Sequence, residues 1–187
     1  HIIYPWNKFV TSMPVWAIVV AHTCASWGFY TLVMCLPMFM RDTYDYWMDS
    51  STYMSLLPHL LMGVLLLVAG TLADWLRNSE VLTTTHVRKY FTCGSFISQG
   101  ILIVLAGHLN SANGSLLCLI IATGLGAFAW AAFSANLLDL APQYASGLMG
   151  LSNTFASIQG YLSPYLIFYV FGDVIMENWQ HLFYITM

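Results

Sequence analysis

The chain has 187 residues, of which 59% are hydrophobic and 7% charged, with a net charge of −3 and a mean hydropathy of +0.71. Soluble domains carry roughly a quarter charged residues, so this composition cannot cover a water-facing surface and lipid is the outer solvent. The small net charge and the lack of a basic block argue against a nucleic-acid partner.

The spacing of charges divides the chain. No Asp, Glu, Lys or Arg falls between Lys8 and Arg41, between Asp49 and Asp74, between Lys89 and Asp139, or between Asp139 and Asp173. A membrane span needs ~20 mostly apolar residues. The pattern predicts segments a (about 14–40), b (53–77), c (87–109), d (115–138) and e (144–171), and a truncated f over 179–187. The long third interval holds both c and d, with a turn at His108–Ser115. The segments are helices, because isolated strands leave backbone groups unpaired in lipid and the runs exceed barrel-strand length. The expected class is an all-α membrane protein with five complete spans and the start of a sixth. The chain opens at His1, not at a Met, and stops inside segment f, so both ends are expected to be cut.

Lys8, Arg77, Arg88 and Lys89 flank one side of the segments, while Asp42, Asp45 and Asp49 surround Arg41 on the other. The positive-inside rule places the b–c loop in the cytosol and the a–b loop outside. The sequon Asn113-Gly114-Ser115 falls in the c–d loop on the outer side. Cys24, Cys35, Cys93 and Cys118 show no CxxC spacing and read as buried thiols, with no metal site and no cofactor. Segment d is rich in Gly and Ala. Segment e carries Gly147, Gly150, Ala156, Ser157 and Gly160, with Pro164 inside it. Small residues allow close helix approach, and a mid-helix Pro bends a span.

Several stretches carry a resemblance: PVWAIVVAHTCASWGFYTLVMCLP (Pro14–Pro37), GTLADWLR (Gly70–Arg77), NLLDLAPQYASGLMGLSNTFASIQG (Asn136–Gly160) and ENWQHLFYI (Glu177–Ile185). Together they resemble the anion:cation symporter branch of the major facilitator superfamily, which holds sodium/phosphate cotransporters, sialin and vesicular glutamate transporters. The resemblance implies a carboxy-terminal six-helix half, covering spans seven to eleven and the start of twelve, with substrate bound between two halves. It departs from the pattern in three places. Trp75 stands where a basic residue follows the Asp. Ala25 stands where the glutamate transporters carry an arginine before the Ser-Trp pair. Leu137 stands where a histidine is usual. The last two argue against glutamate as substrate and leave the coupling ion open.

Candidate site residues follow. His22, Ser26 and Tyr30 recur every four residues on one helix face, with Trp27 beside them. Such a stripe lines a cavity that binds an anion and relays a proton through His22, or it makes interhelical hydrogen bonds. Asn136, one turn from the end of d, is a ligand candidate. Asp139 is expected to cap segment e, where negative charge is favoured. Segment e has two polar faces, one with Asn153, Ser157, Gly160 and Pro164, the other with Ser152, Gln159 and Ser163. One lines the cavity and the other packs. Gly70, Asp74 and Arg77 read as a conformational latch. No nucleophile elbow or phosphate loop suggests an enzyme. The expected function is secondary active symport of a small organic or inorganic anion with H+ or Na+, in a plasma or a vesicular/lysosomal membrane. It requires the bilayer and an amino-terminal half missing from this chain. The alternative is a non-transporting half-transporter or membrane interaction protein.

Overall fold

The computed structural model describes residues 4–45, 54, 56–170 (backbone only at 168 and 170) and 179–186. Its helices are α1 (Trp6–Thr11), α2 (Met13–Tyr44), α3 (Leu56–Asn78), α4 (Thr84–His108), α5 (Ala112–Leu140), α6 (Ala145–Val170) and α7 (Trp179–Thr186), with a 3-10 turn at Pro142–Tyr144. No strand occurs among the described residues. Helices α2 to α5 are each long and apolar enough to cross a membrane. Helix α6 has the length, 26 residues, but Ser152, Asn153, Ser157, Gln159 and Ser163 interrupt its apolar run. A span with that many polar groups must turn them toward protein or water.

Local chemistry sets the boundaries. Thr83 caps α4 by accepting from the His86 amide, and Ser111 caps α5 by accepting from the Gly114 amide. Each satisfies a donor that the first helical turn leaves open. Helix α2 runs through Pro37 and stops at Asp45, whose φ of 58° is left-handed. The turn between α3 and α4 is short and contains Glu80 at φ 55°.

Helix α5 is central. It packs against α2, α3, α4 and α6, while α2 pairs with α6 and α7 lies against α4. Two neutral hydrogen bonds join α2 to α6: His22 Nδ1 to Ser152 Oγ at 2.7 Å and Thr31 Oγ1 to Ser163 Oγ at 3.0 Å. Residue numbers rise together along both helices, so the two run parallel. Between these bonds the Tyr30 ring lies over Gly160, where an added Cβ would be 3.4 Å from it. At the start of the bundle Tyr4 covers Gly147, reaches Ser146 at 3.2 Å and lies against Tyr144. Arg77, Arg88, Lys89 and Asp139 gather at this same end, called the basic end below.

Two expectations need correction, and one falls outside the described residues. The turn between segments c and d is only Leu109–Ser111, because Ser111 starts α5 early. Asn113 and Ser115 of the sequon are therefore helical. The Ser115 hydroxyl is buried, donating to the Ala106 carbonyl at 2.8 Å and bonded to the Tyr44 hydroxyl at 2.8 Å. Cys24 and Cys93 are exposed, since they line a groove between α2 and α4; only Cys35 is buried, and Cys118 is partly so. Asp49 of the a–b loop lies outside the described residues, as do Asp173 and Glu177.

The α2–α6 contact yields the first prediction. Gly160→Leu forces a side chain into the Tyr30 ring and should cost about 1–3 kcal/mol. Gly150→Ala meets open space and should stabilise α6 by about 0.5–1 kcal/mol. Thermal unfolding of the purified variants checks both, and equal melting temperatures would refute the packing.

Candidate functional site

The expected α2 stripe divides on folding. His22 and Ser26 are buried, at 1% and 2% exposure. The His22 ring stacks on Phe133 at 4.5 Å, meets Trp130 edge-on at 5.3 Å, and bonds to Ser152. Its surroundings are α5 and α6, not an open cavity, so His22 and Ser26 are corrected from cavity lining to interhelical packing. Trp27 points the other way, into the groove between α2 and α4. Ala25 is also buried, in a wall with Phe29, Gln99 and Trp130 that leaves only about 10 Å³.

Tyr30 is the member of the stripe that reaches an open corner. It is half-buried, and its hydroxyl has no hydrogen-bond partner among the described residues. Gly160 faces its ring, and Ser157 and Asn153 lie one and two turns earlier on that face of α6. Both are exposed, the Ser157 hydroxyl donating only to the Thr154 carbonyl at 3.1 Å. The opposite face of α6 sends Ser152 and Ser163 into α2. The two polar faces of segment e thus separate into a packed face and an open one. Phe29, next to Tyr30, packs edge-on against His59 of α3 at 5.3 Å. This side of α2 and α6 therefore carries neutral hydrogen-bonding groups beside an aromatic ring.

The charges lie elsewhere. Arg88 is 8% exposed and grips Asp139 through Nε at 2.9 Å and Nη2 at 2.8 Å. Asp139 is thereby corrected from capping segment e to clamping α5 onto α4. Among the latch residues, Arg77 is 3.9 Å from Asp74 and 4.0 Å from Asp139, with its Nε donating to Thr84 Oγ1 at 3.1 Å. Asp74 is largely exposed and Gly70 has open space around it. Arg77 is thus poised between two carboxylates without closing on either. Asn136 is separated from Tyr30; it opens with Arg88, Lys89 and Asp139 into a cavity of about 790 Å³ between α2, α4 and α5. Sequence reasoning used Arg88 only for orientation. The available signal was that Asp139 is the one acid between Lys89 and Asp173, so a buried arginine nearby had a single carboxylate to find. His59 was also missed; it was a lone polar residue in an apolar run. Among the described residues no cluster of His, Cys, Asp or Glu could hold a metal ion.

Comparison with known proteins follows the same lines. The sequence profile of the Major Facilitator Superfamily matches residues 2–164. Over 182 residues the chain is 39% identical to Vesicular glutamate transporter 2.2 of Danio rerio, covering 97% of this chain and 31% of the relative. It is 38% identical to Vesicular glutamate transporter 1 of Xenopus tropicalis, covering 97% of this chain and 32% of the relative. The human Vesicular glutamate transporter 2 is 37% identical, again over 97% of this chain and 31% of the relative. The chain spans about a third of the length of these relatives.

The ion pairs should differ in weight. Removing one partner of a buried pair strands the other charge and costs about 3–5 kcal/mol, whereas an exposed pair contributes about 0–1 kcal/mol. Asp139→Ala, beside a buried Arg88, should lower the unfolding free energy by more than 2 kcal/mol, toward that buried range. Asp74→Ala should change it by under about 1 kcal/mol. Denaturant unfolding of the two variants in detergent provides the measurement, and the reverse order would refute the assignment.

Proposed function

Since the chain belongs to the anion:cation symporter branch of the major facilitator superfamily and is a multi-pass membrane protein, we propose that it forms one wall of a transport path for a small anion. The observation that carries this reading is the open corner of Tyr30, Ser157 and Asn153. Three neutral hydrogen-bonding groups on an otherwise apolar bundle surface have no favourable contact with lipid. They suit the oxygens of a carboxylate or phosphate. Within the described spans no Lys or Arg reaches this corner, and the Ala25 wall is closed by Trp130 and Phe29. The charge that neutralises the anion therefore comes from a preceding half of the whole protein, outside this chain.

The relatives' names point to glutamate. The apolar Ala25 wall favours an anion that needs no cation from α2, so the substrate class here is a small organic or inorganic anion in general. Coupling to H+ or Na+ drives uptake, and the site lies in a vesicular or plasma membrane. The basic end faces the cytosol, as its surplus of Arg and Lys favours. Asp74 and Arg77 act there as a latch: Arg77, at about 4 Å from two carboxylates, can tighten on either as the halves rock. His22 holds α2 to α6 through its bond to Ser152.

Tyr30 supplies the test. Loss of a hydrogen bond to a charged group costs roughly 1.5–3 kcal/mol, or about ten- to over a hundredfold in affinity. Tyr30→Phe in the full-length protein, reconstituted in liposomes with imposed proton or sodium gradients, should raise the apparent KM by that factor at unchanged abundance. Val33→Leu, an exposed aliphatic on the same helix, should leave uptake as it was. Wild-type kinetics for Tyr30→Phe would remove this corner from the path. No anion uptake by the wild-type protein would remove the function.

A further inference from the structure

The outward face of α4 carries a cleft of its own. Helix α4 packs mainly on α5 and touches α7 and α3 less. Away from those contacts Tyr90, Ile97, Ile101 and Leu105 are exposed. In a multi-pass membrane protein such an apolar row meets lipid chains. Continuous with this lipid boundary, a cleft of about 220 Å³ opens between α4 and α5. Tyr90, Gly94 and Ser98 recur every four residues along its α4 side. Leu125 and Phe128 supply the α5 side, with Phe91 edge-on to Phe128 at 5.2 Å. Ser95 donates to the Leu125 carbonyl at 2.8 Å, and Ser98 to the Gly94 carbonyl at 2.7 Å. Both hydroxyl protons are turned to the backbone, so the body of the cleft is apolar.

No protein neighbour explains the notch in this cleft. Gly107 on the same helix makes room for Phe183, but a Cβ on Gly94 would meet nothing within 4 Å. Glycine is unfavourable inside a helix, and here it leaves a flat surface beside aromatic rings. One end of the cleft is polar. Tyr90 lies six residues after Thr84, the first residue of α4, or about 9 Å along the axis. That is the depth at which tyrosines meet headgroups. The Tyr90 ring stacks on His86, which is bonded to Thr83 Oγ1 at 2.8 Å. The ring is thereby held in place, while its hydroxyl has no hydrogen-bond partner among the described residues.

We propose that this cleft is a sterol site. The occupant is a rigid, planar, mostly apolar molecule with a single hydroxyl. Its fused rings lie along Gly94 beside Phe91 and Phe128, and its hydroxyl bonds to that of Tyr90. Tyr90 to Ser98 gives about 12 Å of helix for the rings to follow. An acyl chain suits the cleft less well. It gives up rotational freedom on being ordered, whereas fused rings have little to lose. It also needs neither a flat notch nor a fixed hydroxyl. No charged residue lines the cleft, so an anionic headgroup has no partner in it. The site lies on α4 and α5, apart from Tyr30, Ser157 and Asn153, and does not depend on the transport reading.

The test uses the full-length protein in phosphatidylcholine liposomes containing a photoactivatable cholesterol analogue. After irradiation, peptide mapping should place the label within 90–98 or 125–128, and excess cholesterol should suppress it. Gly94→Leu fills the notch and should abolish this label, while Ile101→Val, on the same lipid-facing row, should keep it. Tyr90→Phe should weaken competition by cholesterol about two- to tenfold, the weight of one neutral hydrogen bond. Label only elsewhere, label that cholesterol does not suppress, or undiminished label in Gly94→Leu would overturn the proposal. Unchanged competition in Tyr90→Phe would overturn the placement of the hydroxyl. A photoactivatable phosphatidylcholine that marks the cleft and is not displaced by cholesterol would assign it to acyl chains and overturn the proposal as well. If Gly94→Leu does not accumulate, the wild-type map and its competition decide by the same criteria.

Discussion

The parallel contact of α2 with α6 is the constraint on which the other placements depend. It is made without charge. An imidazole and three hydroxyls form two bonds, His22–Ser152 and Thr31–Ser163, and Gly160 lets the Tyr30 ring lie against the backbone between them. In lipid there is little hydrophobic drive to hold helices together, so close packing and neutral hydrogen bonds set the register. Each bond fixes the rotation of both helices. With Ser152 and Ser163 turned inward, Asn153 and Ser157 have to face outward, and with His22 inward, Trp27 has to face the back groove. The open corner and the groove are both consequences of that rotation.

The charge cluster at the basic end works on a different principle. Arg88 and Asp139 are held at 2.8–2.9 Å, with Arg88 largely buried and Asp139 partly so. This bond ties α5 to α4 beside the cavity at the basic end. Arg77 sits at longer range from both Asp74 and Asp139 on a more exposed surface. A tight pair beside a loose one divides the labour. The tight pair joins two helices, whereas the loose one contributes little because exposed pairs are weak.

The sequence made the helices legible because charge is so rare in it that each charged residue marks an interface. Segment bounds agree with the observed helices to within a few residues. The resemblance drew on GTLADWLR and the run from Asn136 to Gly160, and the family followed from them. What the sequence did not disclose was rotation. The four-residue spacing of His22, Ser26 and Tyr30 puts them on one face only approximately. An α-helix advances 100° per residue, so that face drifts by 40° at each step of four. Over eight residues the drift is enough to carry His22 into α5 and leave Tyr30 at the edge. The two polar faces of α6 were equivalent on paper, and only the partner hydroxyls on α2 separated them. Asp139 was misread for a related reason. Its neighbour in sequence, Pro142, suggested a cap, whereas its neighbour in space, Arg88, is 51 residues away.

Ala25 shows how such rotation bears on chemistry. A single small residue beside Ser26 lets Trp130 and Phe29 close over α2 and leaves about 10 Å³ unfilled. A longer cationic side chain at that point would have to displace an indole or a phenyl ring, and its charge would need a partner that the described part of the bundle does not offer. The packing therefore excludes a cation from this wall as firmly as the composition does. Under the proposed function, recognition by this half rests on the orientation of neutral dipoles at Tyr30, Ser157 and Asn153. Such groups select shape and oxygen geometry more than total charge, because each contributes a directional bond while leaving the net charge of the cavity unchanged. On that reading, selectivity among anions is a question of how the oxygens are spaced against one tyrosine and two turns of α6.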